Sequence, residues 1–229
     1  MIRPYSEPTR IETVKSRSGR VFDVYRGYDD RIVSQIVSKS TEPAIMDRCP
    51  KDATSRFASE ASFASWVCKN GGRFLYPLIE QGTDGLGGII WMGPEKFDMT
   101  KYPEAADPMH LQLGSLMTDT YAIRIYESAQ ERDDQGNITG SGLAKPFTLA
   151  AVRDYATMRI LEGPDNLPNF TGLHLETDSD NTAARRTYED LSGKGNGFAP
   201  IAENQDSNRV AMVLPITMLS TVLGENYAA

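Results

Sequence analysis

The chain has 229 residues, 40% hydrophobic and 24% charged, the mixture of an ordinary folded protein rather than a disordered one, and a length that suits one domain. Its formal charge of −7 supplies no basic footprint, which argues against general nucleic-acid binding and would suit a cationic acceptor such as an amine. No apolar run approaches the roughly 20 residues that span a bilayer, so no membrane partner is expected. The polar start, with Pro4 and Pro8, lacks the apolar core of a secretory leader. Cys49 and Cys68 read as free thiols in a reducing compartment, and a cytoplasmic location is expected.

Residues 11–26 read as two short strands about Ser16-Arg17-Ser18-Gly19, a turn composition. Asp29 or Asp30 then caps a helix with Ile32, Val33, Ile36 and Val37 on one face, and Pro43 lies past its end. A second helix is expected over 52–69, stopped by Asn70-Gly71-Gly72. Strands follow at 74–79 and 87–92. Residues 93–118 hold Pro94, Pro103 and Pro108, show no sustained period, and read as a long functional loop on the substrate side. A third strand is expected over 121–128, then a polar insertion at 130–138 with the turn Asp134-Gln135-Gly136-Asn137. A glycine loop at 140–144 enters a helix over 146–161, and Gly163-Pro164 breaks it. The rest reads as a strand (172–177), a helix (181–191), a glycine-rich link (193–197) and two strands (198–202 and 209–214). The alternation gives an α/β or α+β sheet with helices on its faces.

Thr139-Gly140-Ser141-Gly142-Leu143-Ala144-Lys145-Pro146 stands between a strand and a helix. The first N–H groups of a helix have no internal partner, and together with the helix dipole they attract an anion. Small residues let phosphate oxygens approach the backbone, and Pro146 fits the first turn. Lys145 adds charge there or is simply solvated. The loop is neither a Walker sequence nor the dinucleotide fingerprint, so alone it reads equally well as a tight turn.

Downstream, Leu173 to Leu191 makes a strand, a polar turn and a capped helix, with Gly197-Phe198 beyond. With Asn181, Ala184, Tyr188 and Glu189 in place, this resembles the "strand, Asn-x-x-Ala-x-x-x-Tyr-Glu, Gly-Phe" signature of GNAT-family (Gcn5-related) N-acetyltransferases. The loop 139–144 then resembles that family's Arg/Gln-Gly-x-Gly-x-Gly/Ala pyrophosphate loop. The resemblance is specific over 121–214 and covers only the order of elements over 20–92.

The resemblance implies a mixed, mostly antiparallel sheet flanked by helices, with a splayed pair of parallel strands, 121–128 and 172–177, holding acyl-CoA. It implies one domain over 1–229, with 20–119 on the acceptor side and 120–214 as the acyl-CoA core. The pantetheine arm would run along Ile125, Tyr126 and Glu127. The pyrophosphate would meet the amides of Gly140, Ser141, Gly142, Leu143 and Ala144, flanked by Thr139 and Lys145. Asn181 would lie near the pantetheine, and it also suits a helix cap. Tyr188 would protonate the leaving thiolate. Glu127, late on its strand, is the best-placed carboxylate for a general base. His110 sits in the long loop, His174 in a strand reads as a packed residue rather than a base, and nothing has metal-ligand spacing. The chain departs from the family pattern at Thr139, where arginine or glutamine is usual, and by insertions at 130–138 and 192–196. The expected activity is transfer of an acetyl group from acetyl-CoA to a primary amine of an unidentified acceptor, by a chain that could pair as a homodimer. The alternatives are a non-catalytic acyl-CoA sensor or scaffold of the same fold, and an unrelated α/β protein.

Overall fold

The computed structural model describes residues 7–69, 72–95, 97–102, 118–161, 170–192 and 195–224. The greater part of the expected 93–118 loop, with His110, and the Gly163-Pro164 breaker lie outside them. The strands are β1 (Thr9–Lys15), β2 (Val21–Arg26), β3 (Phe74–Glu80), β4 (Leu86–Pro94), β5 (Asp119–Ile125), β6 (Gly172–Asp178), β7 (Ala199–Asn204) and β8 (Arg209–Pro215). They form one sheet in the order β1-β2-β3-β4-β5-β6-β8-β7. β1–β2, β2–β3, β6–β8 and β7–β8 are antiparallel, and β5–β6 is parallel. This is the mixed, mostly antiparallel sheet that the resemblance implied. Asp119 pairs with Leu173 and Thr120 with His174, and among the described residues the parallel ladder goes no further. β4, Leu-Gly-Gly-Ile-Ile-Trp-Met-Gly-Pro, is buried along nearly its whole length, as a strand covered on both faces must be. β1, at the sheet edge, is mostly exposed, with Ile11 half-buried and Val14 buried.

By internal contacts the chain divides into two compact units, Met1–Trp91 with Ile123–Asp154, and Met92–Ala122 with Tyr155–Ala229.

In the first unit, helix α1 (Asp30–Lys39) is capped by the Asp29 carboxylate, which accepts the Ile32 N–H at 2.8 Å. It buries Ile32, Val33 and Ile36. Pro43, expected only as a terminator, also opens a further short helix, α2 (Pro43–Arg48), at a position where its missing N–H costs nothing. The helix expected over 52–69 is broken. Residues Asp52–Arg56 form a π turn, and Ser59 caps a separate helix, α3 (Glu60–Val67). The break has a physical cause. Asp52, fully buried, accepts from Arg124 Nε at 2.7 Å and Arg56 Nη1 at 3.1 Å. Phe57 packs edge-on to Trp66 and Trp91, with ring centroids 5.1 and 5.8 Å apart.

In the second unit, β6 runs antiparallel to β8 over its whole length, from Gly172 opposite Pro215 to Asp178 opposite Arg209. Buried Asp119 accepts from Arg159 Nε at 2.8 Å and from the Tyr155 hydroxyl. His174 is buried, its Nδ1 2.7 Å from Thr118 Oγ1 and its ring edge-on to Phe97. Burial pushes its imidazole down to about 4, so it is the packed, neutral histidine expected. Beyond the last expected strand a further helix, Ile216–Leu223, buries Leu219. The long helix of the chain, here α4, is Ala144–Leu161.

Candidate functional site

The glycine loop belongs to the first unit, and its shape is set by two glycines. Gly140 has φ +74° and Gly142 φ +71°, the left-handed region that side chains resist. Between them, Ser141 is buried; its C=O accepts the Arg17 N–H at 2.8 Å, and its Oγ lies 3.4 Å from the Leu143 N–H. Leu143 buries its side chain, and its C=O takes the first helical hydrogen bond, from Phe147 N–H at 3.0 Å. The consequence is electrostatic. Among the described residues, the N–H groups of Gly140, Ser141, Gly142 and Ala144 have no hydrogen-bond acceptor. These unpaired donors gather at the N-terminus of an 18-residue helix, whose dipole favours an anion there. Lys145 is half-buried in the first turn of α4.

Thr139 is placed differently. Its N–H donates to Glu131 C=O at 2.9 Å, closing the 130–138 insertion into a small loop bridged by Arg132 and Ile138. Inside that loop the Asp133 carboxylate accepts the Gln135 and Asn137 N–H groups at 2.9 and 2.8 Å. The insertion therefore closes on itself, with Glu131 also bound to the Ser18 N–H, and the glycine loop resumes after it.

The strand expected over 121–128 ends earlier, at Ile125, and a short 3₁₀ turn covers Glu127–Ala129. Glu127 thus follows the strand instead of lying on it. The reason is visible in the hydrogen bonds. The Tyr126 N–H donates to Gly87 C=O at 2.9 Å, while the Glu127 N–H leaves the sheet for the Glu42 carboxylate at 2.8 Å. Tyr126 is fully buried, and burial pushes its phenol up; its hydroxyl has no hydrogen-bond partner among the described residues. Ile125 is half-buried, and its C=O lies 3.4 Å from Gln130 Nε2.

In the second unit, Asn181 caps helix α5 (Thr182–Glu189), its side chain accepting the Ala184 N–H at 3.3 Å. The expected capping role is therefore present. Tyr188 is half-buried, its ring edge-on to Tyr121 and Phe198 at 6.1 Å from each. Its C=O accepts the Phe198 N–H at 2.8 Å. A methyl group on Gly197 would meet that carbonyl oxygen at 2.0 Å, which explains why glycine precedes Phe198. Tyr188, Gly197 and Phe198 are thus one packed corner, and the insertion at 192–196 leaves it intact.

Neither a protein-family profile nor a curated protein sequence matches the chain. Solved structures do. An uncharacterised protein from Bacillus halodurans superposes with a TM-score of 0.57 at 11% identity, covering 96% of both chains. Spermidine N-acetyltransferase from Vibrio cholerae, solved with CoA and spermine, gives 0.54 at 12% identity over 86% of this chain and 97% of its own. The GNAT domain of S. lividans PAT gives 0.53 at 10% identity over 90% and 96%. The fold is that of the GNAT acetyltransferases. Within this GNAT-like frame the loop between β5 and α4, the β5–β6 parallel pair and the capped α5 follow the order that the sequence motifs suggested.

Three groups beside the GNAT-like loop and strand were not singled out from sequence. Glu42 binds the Glu127 amide, Asp52 pairs with Arg124, and Arg17 binds Ser141. Each joins segments far apart in the chain, so no local spacing signals it. Among the described residues no cluster of His, Cys, Asp or Glu could hold a metal ion, and no helix is long and apolar enough to cross a membrane.

Proposed function

We propose that this chain is an acetyl-CoA-dependent N-acetyltransferase that acts on a primary amine. The observation that carries the reading is the set of unpaired amides at Gly140, Ser141, Gly142 and Ala144, at the head of α4 in a GNAT-like fold. In this reading the amides receive the diphosphate, with Lys145 nearby and Leu143 anchoring the loop to the core. Residues Ile125 to Glu127 receive the pantetheine arm. The Tyr126 N–H is already committed to Gly87, so in this reading the arm would bond at Ile125 and at Glu127, whose amide would exchange the Glu42 carboxylate for the ligand. The chain acts as one domain, with 20–119 on the acceptor side and 120–214 holding acyl-CoA. Cys49 and Cys68 are not joined in a disulfide, which fits a reducing, cytoplasmic setting.

The chemistry needs a neutral amine, stabilisation of the developing oxyanion, and an acid for the sulfur. The amine nitrogen attacks the thioester carbonyl carbon, the C–S bond breaks, and the thiolate takes the Tyr188 phenolic proton. Glu127 is the proposed acceptor of the amine proton. The spermidine enzyme of similar fold was solved with spermine, which favours polyamines as the first acceptors to try. An assay of free-thiol release from acetyl-CoA over a panel of amines tests the proposal. Acceptor-dependent release supports it; binding of acetyl-CoA without release from any amine would make the chain an acyl-CoA sensor or scaffold instead.

A further inference from the structure

The turn joining β1 to β2 is fastened to other segments of the first unit by several bonds. Within the turn, the Ser16 N–H donates to Arg20 C=O at 2.9 Å and the Gly19 N–H to Ser16 C=O at 3.1 Å. The Ser18 N–H donates to Glu131 Oε1 at 2.8 Å. Arg20 holds Ser128 C=O at 2.8 Å through Nη2 and Glu80 Oε1 at 2.7 Å through Nε. The Arg17 N–H donates to Ser141 C=O at 2.8 Å, in the middle of the glycine loop. A methyl group on Gly142 would lie 3.9 Å from the Arg17 Cβ, so the root of this side chain borders the unpaired amides. The side chain itself is exposed, and among the described residues it makes no hydrogen bond or ion pair.

We propose that Arg17 is a diphosphate-binding residue, whose guanidinium closes over an anion seated on the loop amides. The inference rests on the acyl-CoA reading above and assigns to Arg17 the charge that Thr139 lacks. A guanidinium fork matches two phosphate oxygens at once, and Arg17 differs from an ordinary surface arginine in that its backbone is tied to the loop. There is also an electrostatic reason for a cation at this point. The Glu131 carboxylate, held down to about 2 by hydrogen bonds from Ser16 and Ser18, remains an anion close to Arg17. An incoming diphosphate meets that negative charge, and the guanidinium offsets it.

The test uses the full chain, with acetyl-CoA and S-acetylpantetheine, which has no diphosphate, as probes in calorimetric titrations. Arg17→Ala should weaken acetyl-CoA binding roughly 10-fold or more, the scale of a lost charge-assisted bond, and flatten its salt dependence. It should leave S-acetylpantetheine affinity and the ligand-free melting temperature unchanged, because the anchoring bond uses the backbone. Arg17→Lys should recover part of the loss. Wild-type binding of acetyl-CoA with no loss in Arg17→Ala would overturn this inference while leaving the acyl-CoA site standing. An equal loss for both probes would make Arg17 a scaffold residue and overturn it too. Failure of the wild type to bind acetyl-CoA would overturn the site and the inference together.

Discussion

Replacing Gly142 by alanine separates the loop's backbone strain from its anion-binding surface, because Gly136 provides a matched control. Gly142 has φ +71° and Gly136 φ +82°. A methyl group meets nothing within 4 Å at Gly136, and at Gly142 only Arg17 atoms at ordinary contact distance, 3.9 and 4.0 Å. Neither variant suffers a clash, so each carries only the left-handed cost of an L-residue, about 1–2 kcal/mol, partly offset by the lower entropy of the unfolded alanine chain. A net loss near 1 kcal/mol lowers the melting temperature by about 2–4 °C for a chain of this size. Binding is where the two should differ. The Gly142 methyl lies beside the unpaired amides and holds phosphate oxygens away, removing one or two charge-assisted bonds at roughly 1.5–3 kcal/mol each. Gly142→Ala should therefore bind acetyl-CoA at least 10-fold more weakly, while Gly136→Ala, in the insertion turn, binds like the wild type. Calorimetric titration with parallel thermal melts reads both. Wild-type affinity in Gly142→Ala, or an equal loss in Gly136→Ala, would refute the assignment of these amides to the diphosphate.

Tyr188→Phe should lower turnover strongly while leaving acetyl-CoA affinity near that of the wild type; unchanged turnover removes Tyr188 from the mechanism. Asp52→Ala leaves the Arg124 guanidinium, only 14% exposed, without its carboxylate, and should cost about 3–5 kcal/mol in urea unfolding. A loss below about 1 kcal/mol would mean that water or another group satisfies Arg124. His174 sits near 4 in the fold against about 6.5 in the unfolded chain. The unfolded state therefore binds the extra proton between those values, so stability falls as pH drops from about 6.5 to 4 and this contribution levels off below. The full contribution is roughly 3 kcal/mol, and His174→Gln should flatten that window in urea titrations at several pH values. A slope that persists undiminished in the variant would assign it to other groups.

The elements legible in the sequence are those whose signals are local. The glycine loop, the Asn181 cap and the burial of His174 each depend on a few neighbouring residues and on periodicity, and the structure places all three as read. What escaped depends on partners distant in the chain. The apolar pattern from 52 to 69 suits one helix, but the pull of Arg124 on Asp52 and the packing of Phe57 against Trp91 bend it into a π turn and a new start at Ser59. Likewise Tyr126 and Glu127 have the composition of a continuing strand, and Glu42, far upstream, draws the Glu127 amide out of the ladder. Arg17 looked like one residue of a turn, and its relation to Ser141 follows only from the folded sheet.

The most direct test is a thermal melt of the wild-type protein with and without acetyl-CoA, with free adenine nucleotides as controls. At about 100 times its dissociation constant, a ligand adds roughly 2.7 kcal/mol of apparent stability. At about 2–4 °C per kcal/mol, an acyl-CoA site at the glycine loop predicts a rise of several degrees with acetyl-CoA. No rise at saturating acetyl-CoA would contradict the site and leave the loop at 139–144 as a structural turn.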